Sequence, residues 1–204
     1  RARHEHRRVD RRAARRGRGP VAGGAGRRMG GIDKGLQVFR GQPLVSLVLE
    51  RMKPQAARIL INANRNAERY AAFGYPVIAD KVGHFAGPLA GLHAGLSASA
   101  SNLVASIPCD TPFLPLDLIA RLMAPLSVPR YHVAVARTGT QVHPVFCVAR
   151  RSLLPHLEDF LAGGGRKFDL WYSNLAVVEV AFDDQVEAFR NLNTLDELRD
   201  AQRD

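Results

Sequence analysis

A chain of 204 residues is long enough for one α/β domain with a substantial core and cramped for two. Its 46% apolar and 24% charged residues are those of a soluble globular protein, and no apolar run approaches the roughly 18 residues of a membrane span. The formal net charge of +10 suggests nucleic acid until it is partitioned: residues 1–20 hold nine Arg against Glu5 and Asp10, leaving only mild basicity for everything after.

In chain order, residues 1–20 form a charge run without apolar periodicity, expected as a solvated, disordered arm ahead of a single domain over 21–204. An RNA-binding or partner-binding arm is the sharper alternative. The stretch VAGGAGRRMGGIDKGL, Val21 to Leu36, carries six glycines, two adjacent arginines and a lysine, the composition of a loop. PLVSLVLERM then places Leu44, Leu47, Val48 and Met52 at helical spacing, with Pro43 in the first turn. ARILIN predicts a strand, NAERYAAF a helix closed by Gly74, PVIAD a strand, PLAGLHAGLSASA a helix, LVASI a strand and PLDLIARLM a helix.

This alternation predicts βαβ units, hence a three-layer, doubly wound α/β fold with a mostly parallel sheet. YHVAVAR and QVHPVFCVAR, joined through a Thr-Gly turn, predict an antiparallel hairpin added to it, with Pro144 at an edge or a bulge. Helices over RSLLPHLEDFLAGGG and RKFDLWYSN, a strand over LAVVEVAF and a helix over TLDELRDAQR complete the pattern. Thr194 and Glu197 have the spacing of a capping box. Cys109 and Cys147 lie in apolar runs, as reduced core thiols do, and with no secretory apolar segment near the start a cytoplasmic setting fits.

Two phosphate-loop patterns fail on the glycine stretch. A P-loop needs Ser or Thr after its lysine, but Gly35 follows Lys34, and a dinucleotide fingerprint begun at Gly24 meets Met29 where its third glycine belongs. What remains is a longer loop. Gly23 and Gly24 permit close backbone approach, while Arg28 and Lys34 supply charge to a triphosphate and its leaving pyrophosphate. A solvated basic turn is the plainer alternative.

Asp110 follows an apolar strand directly, at the carboxyl end where open α/β sheets bind ligands. One carboxylate suffices for Mg²⁺, which fills its other positions with water and phosphate oxygens; an N-cap or turn role is the alternative. Asn62 and Asp80 end two other strands and offer acceptors for the N–H donors of guanine, though both residue types also serve in turns. The GPLAG segment suits close packing against the sheet, and His143 a structural role rather than substrate contact.

AGGAGRRMGGIDKGL, NANR, VIAD, GPLAG, PCDTPFLP, HPVF and NLNTLDEL, in this order, resemble the molybdenum cofactor guanylyltransferases from about Val21 onward. The resemblance implies a nucleotide-diphospho-sugar transferase-like fold and transfer of GMP from GTP to molybdopterin, with Mg²⁺ as cofactor. It implies Val21, Ala22 and Gly23 at guanine and ribose, and Lys34 at the phosphates. Asn62, Asp80 and Asp110 become GTP contacts, Asp110 also the Mg²⁺ ligand, and Asn191 and Asn193 the pterin side. Molybdoenzymes or their chaperones are implied partners, nucleic acid and membranes are not. The glycine loop and Pro-Cys-Asp are shared more loosely with cytidylyl and sugar-nucleotide transferases, the nearer alternatives. One departure stands out: the family's apolar strand before the glycine loop is replaced here by RRAARRGRGP, and its leucine by Val21. That substitution predicts a truncated first strand and weaker GTP binding.

Overall fold

Pro43, locked at φ −59°, directly precedes α1 (Leu44–Met52) in the computed structural model, which describes residues 33–81 and 87–190. Leu44, Val45, Val48, Leu49 and Met52 are buried, one apolar stripe with helical spacing. Before it, β1 (Val38–Phe39) and β2 (Gln42–Pro43) form a short hairpin that the sequence pattern did not predict. Its turn is made by Arg40 and Gly41, both left-handed at φ 49° and 80°, as two-residue hairpin turns require.

The first βαβ unit is present but its strands are short. β3 (Ile61–Asn62) and β4 (Val77–Ile78) pair in parallel with Asn62 opposite Ile78, and α2 (Ala67–Ala71) lies between them in the chain. Gly74, at φ 80°, turns the chain after α2 as expected. Pro88 occupies the first turn of α3 (Pro88–Ala98), which packs on β3, β4 and β5 (Leu103–Ser106) and so bridges the two sheets.

The remaining elements are α4 (Leu118–Met123), β6 (Val133–Thr138), β7 (Gln141–Arg150), α5 (Leu154–Ala162), α6 (Phe168–Tyr172) and β8 (Val177–Ala181). The larger sheet has the order β5-β7-β6-β8. β7 runs antiparallel to both neighbours, while β6 and β8 are parallel, which makes the sheet mixed. The predicted hairpin is therefore not an appendage at the edge, because β7 inserts between β5 and β6.

Pleating sends alternate residues of the central strands to opposite faces. Val133, Val135, Cys147 and Ala149 meet Leu89, Leu92 and Leu96 of α3, Leu157 and Leu161 of α5, and Phe168 and Trp171 of α6. Ala134, Ala136, Phe146 and Val148 meet Val48 and Met52 of α1 and Leu118 and Leu122 of α4 on the other side. This is the expected three-layer α/β sandwich. Pro144 sits where the β6–β7 register slips from Val135↔Cys147 to Ala136↔His143, a bulge that accommodates its missing N–H inside the sheet.

The Arg-rich arm over 1–20 and the segment TLDELRDAQR, for which a capped helix is expected, lie outside the described residues. Among the described residues no helix is long and apolar enough to cross a membrane.

Candidate active site

Lys34 opens a 3₁₀ turn, Lys34–Leu36, that is closed by bonds from Leu36 N to Asp33 O (3.2 Å) and from Gln37 N to Lys34 O (3.1 Å). Leu36 roots the turn in a small core with Val45, Leu49, Ile61 and Tyr70. The Lys34 side chain, about a third exposed, reaches across to Asp110, with Nζ 3.4 Å from Oδ2. Asp110 is only 8% exposed and stands beyond the carboxyl end of β5, where the sequence placed it. Seventy-six positions apart in the chain, the two charges meet at one point.

A second pair forms at the ends of β3 and β4. Asn62 Nδ2 donates to Asp80 Oδ1 at 3.0 Å. Asn64, not singled out from the sequence, completes the arrangement: its Nδ2 donates to Asp80 Oδ2 at 2.7 Å and its Oδ1 accepts from the Asp80 backbone N–H at 2.8 Å. Asp80 is thus fixed in orientation while remaining only half-buried. Gly91 makes room for this pair, because a Cβ there would lie 2.8 Å from Asn62 Oδ1. The close packing expected of GPLAG is therefore packing against a candidate site residue.

A third group, also absent from the sequence reading, lies under the Lys34 turn. Tyr70 Oη donates to Asp33 Oδ1 at 2.5 Å, and Asn66 Nδ2 donates to Asp33 Oδ2 at 3.0 Å. Asn62, Asn64 and Asn66 thus recur at every second position in NANRN; the first two hold Asp80 and the third holds Asp33. That regular spacing at a strand end is the signal that could have found them.

Cys109 departs from the expectation of a core thiol. The residue is exposed while Cys147 is buried, and both are free. The Cys109 sulfur itself is packed against the Lys34 turn, 3.1 Å from where a Cβ on Gly35 would be. Desolvation of the sulfur, reinforced by the Asp110 and Asp33 carboxylates, pushes its thiol up to about 12. It is a poor nucleophile at neutral pH.

Next to Pro108 opens a cavity of about 530 Å³, also lined by Thr138, His143, Phe146, Glu187 and Arg190. His143 has the structural ties expected of it: Nε2 lies 2.7 Å from Thr138 Oγ1 and the ring stacks on Phe189 at 4.7 Å between centroids. It also faces the cavity, and burial holds its pKa below the ordinary histidine range. Val21, Ala22, Gly23, Arg28, Asn191 and Asn193 lie outside the described residues.

A three-layer α/β sandwich that sets a lysine turn against a carboxylate beyond a strand's carboxyl end puts charge where open α/β sheets bind ligands, an arrangement suited to a nucleotide's phosphates. Residues 21–175 match the MobA-like NTP transferase domain, and the chain belongs to that family. It is 47% identical over 188 residues to the molybdenum cofactor guanylyltransferase of Ralstonia nicotianae, covering 88% of this chain and 92% of that protein. The crystal structure of molybdopterin-guanine dinucleotide biosynthesis protein A from Archaeoglobus fulgidus superposes with a TM-score of 0.72 at 25% identity, over 89% of this chain and 94% of that one. The 2-C-methyl-D-erythritol 4-phosphate cytidylyltransferase of Thermus thermophilus shares the fold, with a TM-score of 0.64 at 17% identity over 83% of this chain and 92% of that one.

Proposed function

We propose that the protein transfers GMP from GTP to molybdopterin, forming molybdopterin guanine dinucleotide and pyrophosphate. The observation that carries this is the Lys34–Asp110 pair, a cation on a 3₁₀ turn held 3.4 Å from a buried carboxylate beyond the end of β5. Similarity to the guanylyltransferases, rather than to the fold at large, supports guanine as the base.

In the reaction a terminal phosphate oxygen of the acceptor attacks the α-phosphorus of GTP. The bond from that phosphorus to the bridging oxygen breaks on the opposite side, and pyrophosphate leaves with the electron pair. Lys34 neutralises charge growing on the departing phosphates, a role that suits a compact ammonium at the end of a flexible stem. Asp110 fits a Mg²⁺ ion, since one carboxylate with substrate oxygens and water completes magnesium's preferred shell. When bound, that ion supplies further neutralisation of the phosphates. Asp80, fixed by Asn62 and Asn64, accepts from the N–H groups of guanine. Val21, Ala22 and Gly23 approach the base and ribose, Arg28 the phosphates, and Asn191 and Asn193 the pterin. The cavity beside Pro108, two residues before Asp110 in the chain, has the volume and mixed polarity to seat the acceptor.

The deciding experiment incubates the protein with molybdopterin, Mg²⁺ and GTP, CTP or ATP in turn, and follows pyrophosphate. Release with GTP that requires molybdopterin is the expected result. Preference for CTP would make the protein a cytidylyltransferase of the same fold, and binding of RNA without nucleotide, lost steeply as salt rises, would move the function to the Arg-rich arm.

A further inference from the structure

Asp33 creates an electrostatic problem that the site must solve. It is a carboxylate adjacent in sequence to Lys34, and an unoccupied Asp33 would compete with phosphate oxygens for the lysine ammonium. Both of its oxygens are instead taken by one short stretch, Oδ1 by the Tyr70 hydroxyl and Oδ2 by the Asn66 amide. Neither donor is charged. They satisfy the carboxylate with neutral groups.

The Asp33 backbone is equally committed. Its carbonyl accepts from Leu36 N at 3.2 Å and from Gln37 Nε2 at 3.5 Å, so Asp33 is the anchor on which the Lys34 turn closes. Tyr70 is 4% exposed, rooted in the same small core as Leu36, and its hydroxyl passes through the space a side chain at position 35 would fill. A Cβ on Gly35 would lie 2.5 Å from Tyr70 Oη. Asn66, at φ 53°, adopts the left-handed conformation that asparagine tolerates better than most residues, and its amide reaches Asp33 from there. Burial, and after it the bond to Asp33, holds the Tyr70 phenol far above the ordinary tyrosine range, so it remains a donor throughout the working pH range.

From these contacts we infer that Tyr70 is a positioning residue for the transfer step: assisted by Asn66, it sequesters the Asp33 carboxylate and fixes the turn that aims Lys34 at Asp110. This rests on Lys34 acting on the phosphates, as proposed above. Tyr70, 4% exposed, acts in this reading through Lys34.

The test uses Tyr70→Phe, which removes only the hydroxyl, and Asn66→Gly, which removes the amide but keeps the backbone conformation accessible. In the ligand-free protein, Tyr70→Phe should raise hydrogen exchange at the Leu36 and Gln37 amides while the core amides of β6 and β7 stay protected. Its kcat for GTP transfer should fall roughly tenfold to a hundredfold, the scale of a sub-ångström to one-ångström misplacement of a catalytic group, with KM changing much less. Asn66→Gly should act in the same direction and more weakly. In the Lys34→Ala background, Tyr70→Phe should cost little further, because the group it positions is gone. Unchanged exchange, unchanged kcat, or a full additional loss in the Lys34→Ala background would each overturn the assignment. If Lys34→Ala alone leaves transfer intact, the failure lies with the role given to Lys34. The exchange arm then separately reports whether Tyr70 holds the turn.

Discussion

Gly35→Ala sets two effects of known sign against each other. Gly35 lies within a 3₁₀ turn and not in the left-handed region, so on backbone grounds alanine would be accepted and would stabilise the fold by about 0.4–1 kcal/mol. Space says the opposite. The new Cβ would stand 2.5 Å from Tyr70 Oη and 3.1 Å from Cys109 Sγ, where ordinary contact begins near 3.4 Å. The hydroxyl must therefore retreat by about 0.9 Å, on a residue packed into a core that resists overfilling at a cost of about 1–3 kcal/mol. That movement breaks its bond to the Asp33 carboxylate, worth about 1.5–3 kcal/mol for a charged acceptor. The net expectation is a loss of about 2–5 kcal/mol, a large part of the stability of a typical domain, and a fall in kcat of about a hundredfold as Lys34 shifts. Urea denaturation midpoints and GTP-dependent pyrophosphate release measure the two. Adding Tyr70→Phe to Gly35→Ala deletes the clashing oxygen and should return part of the stability. A Gly35→Ala protein that melts at or above the wild type and transfers at its rate would refute the steric reasoning.

Other outcomes follow from the two pairs. Asp110→Asn keeps the shape and removes the charge, so Mg²⁺-dependent turnover should vanish with the melting temperature little changed, whereas a surviving metal dependence would return Asp110 to the role of a turn residue. Lys34→Ala should slow transfer by about two orders of magnitude with a smaller loss in GTP binding, measured by single-turnover kinetics against equilibrium titration. Asn64→Ala frees the Asp80 carboxylate and should erode the preference for GTP over ATP, as Asp80→Ala should more strongly; an equal loss for both nucleotides would separate Asp80 from the base. Cys109→Ser should retain transfer within about threefold, and iodoacetamide at pH 8 should modify the Cys109 thiol slowly, since a thiol pushed up to about 12 is protonated there.

Helical periodicity was legible wherever one face of an element is buried and the other wet, as in α1, whose stripe begins one residue after the predicted Pro43. The strands were read longer at ARILIN and PVIAD than the described ladder, because an apolar run reports burial while a strand also requires a ladder partner, and among the described residues two of each run have one. Alternation marked β6 and β7 as a hairpin but is the same for an edge and a central strand, so the insertion of β7 beside β5 was not visible. Lys34, Asp110, Asn62 and Asp80 could be chosen because charged or amide groups at strand ends and in a glycine loop are conspicuous. Asp33 and Tyr70 were not conspicuous: one reads as part of a turn, the other as an apolar helix position, and what joins them is a contact across 37 positions of chain.

The central place of β7 also sets an order of events during synthesis. The Lys34 turn and the α2 segment beneath it are complete once residue 81 has emerged, but among the described residues β5 has a single ladder neighbour, and that strand ends at Arg150. At translation rates of about 5–20 residues per second, the strand leading to Asp110 waits several seconds for β7. Throughout that interval the edge that β7 will cover is open to pairing with another nascent chain. Chaperone dependence on the ribosome should therefore concentrate between the emergence of β5 and that of β7, and premature stops in that window should yield aggregates rather than a stable nucleotide-binding fragment.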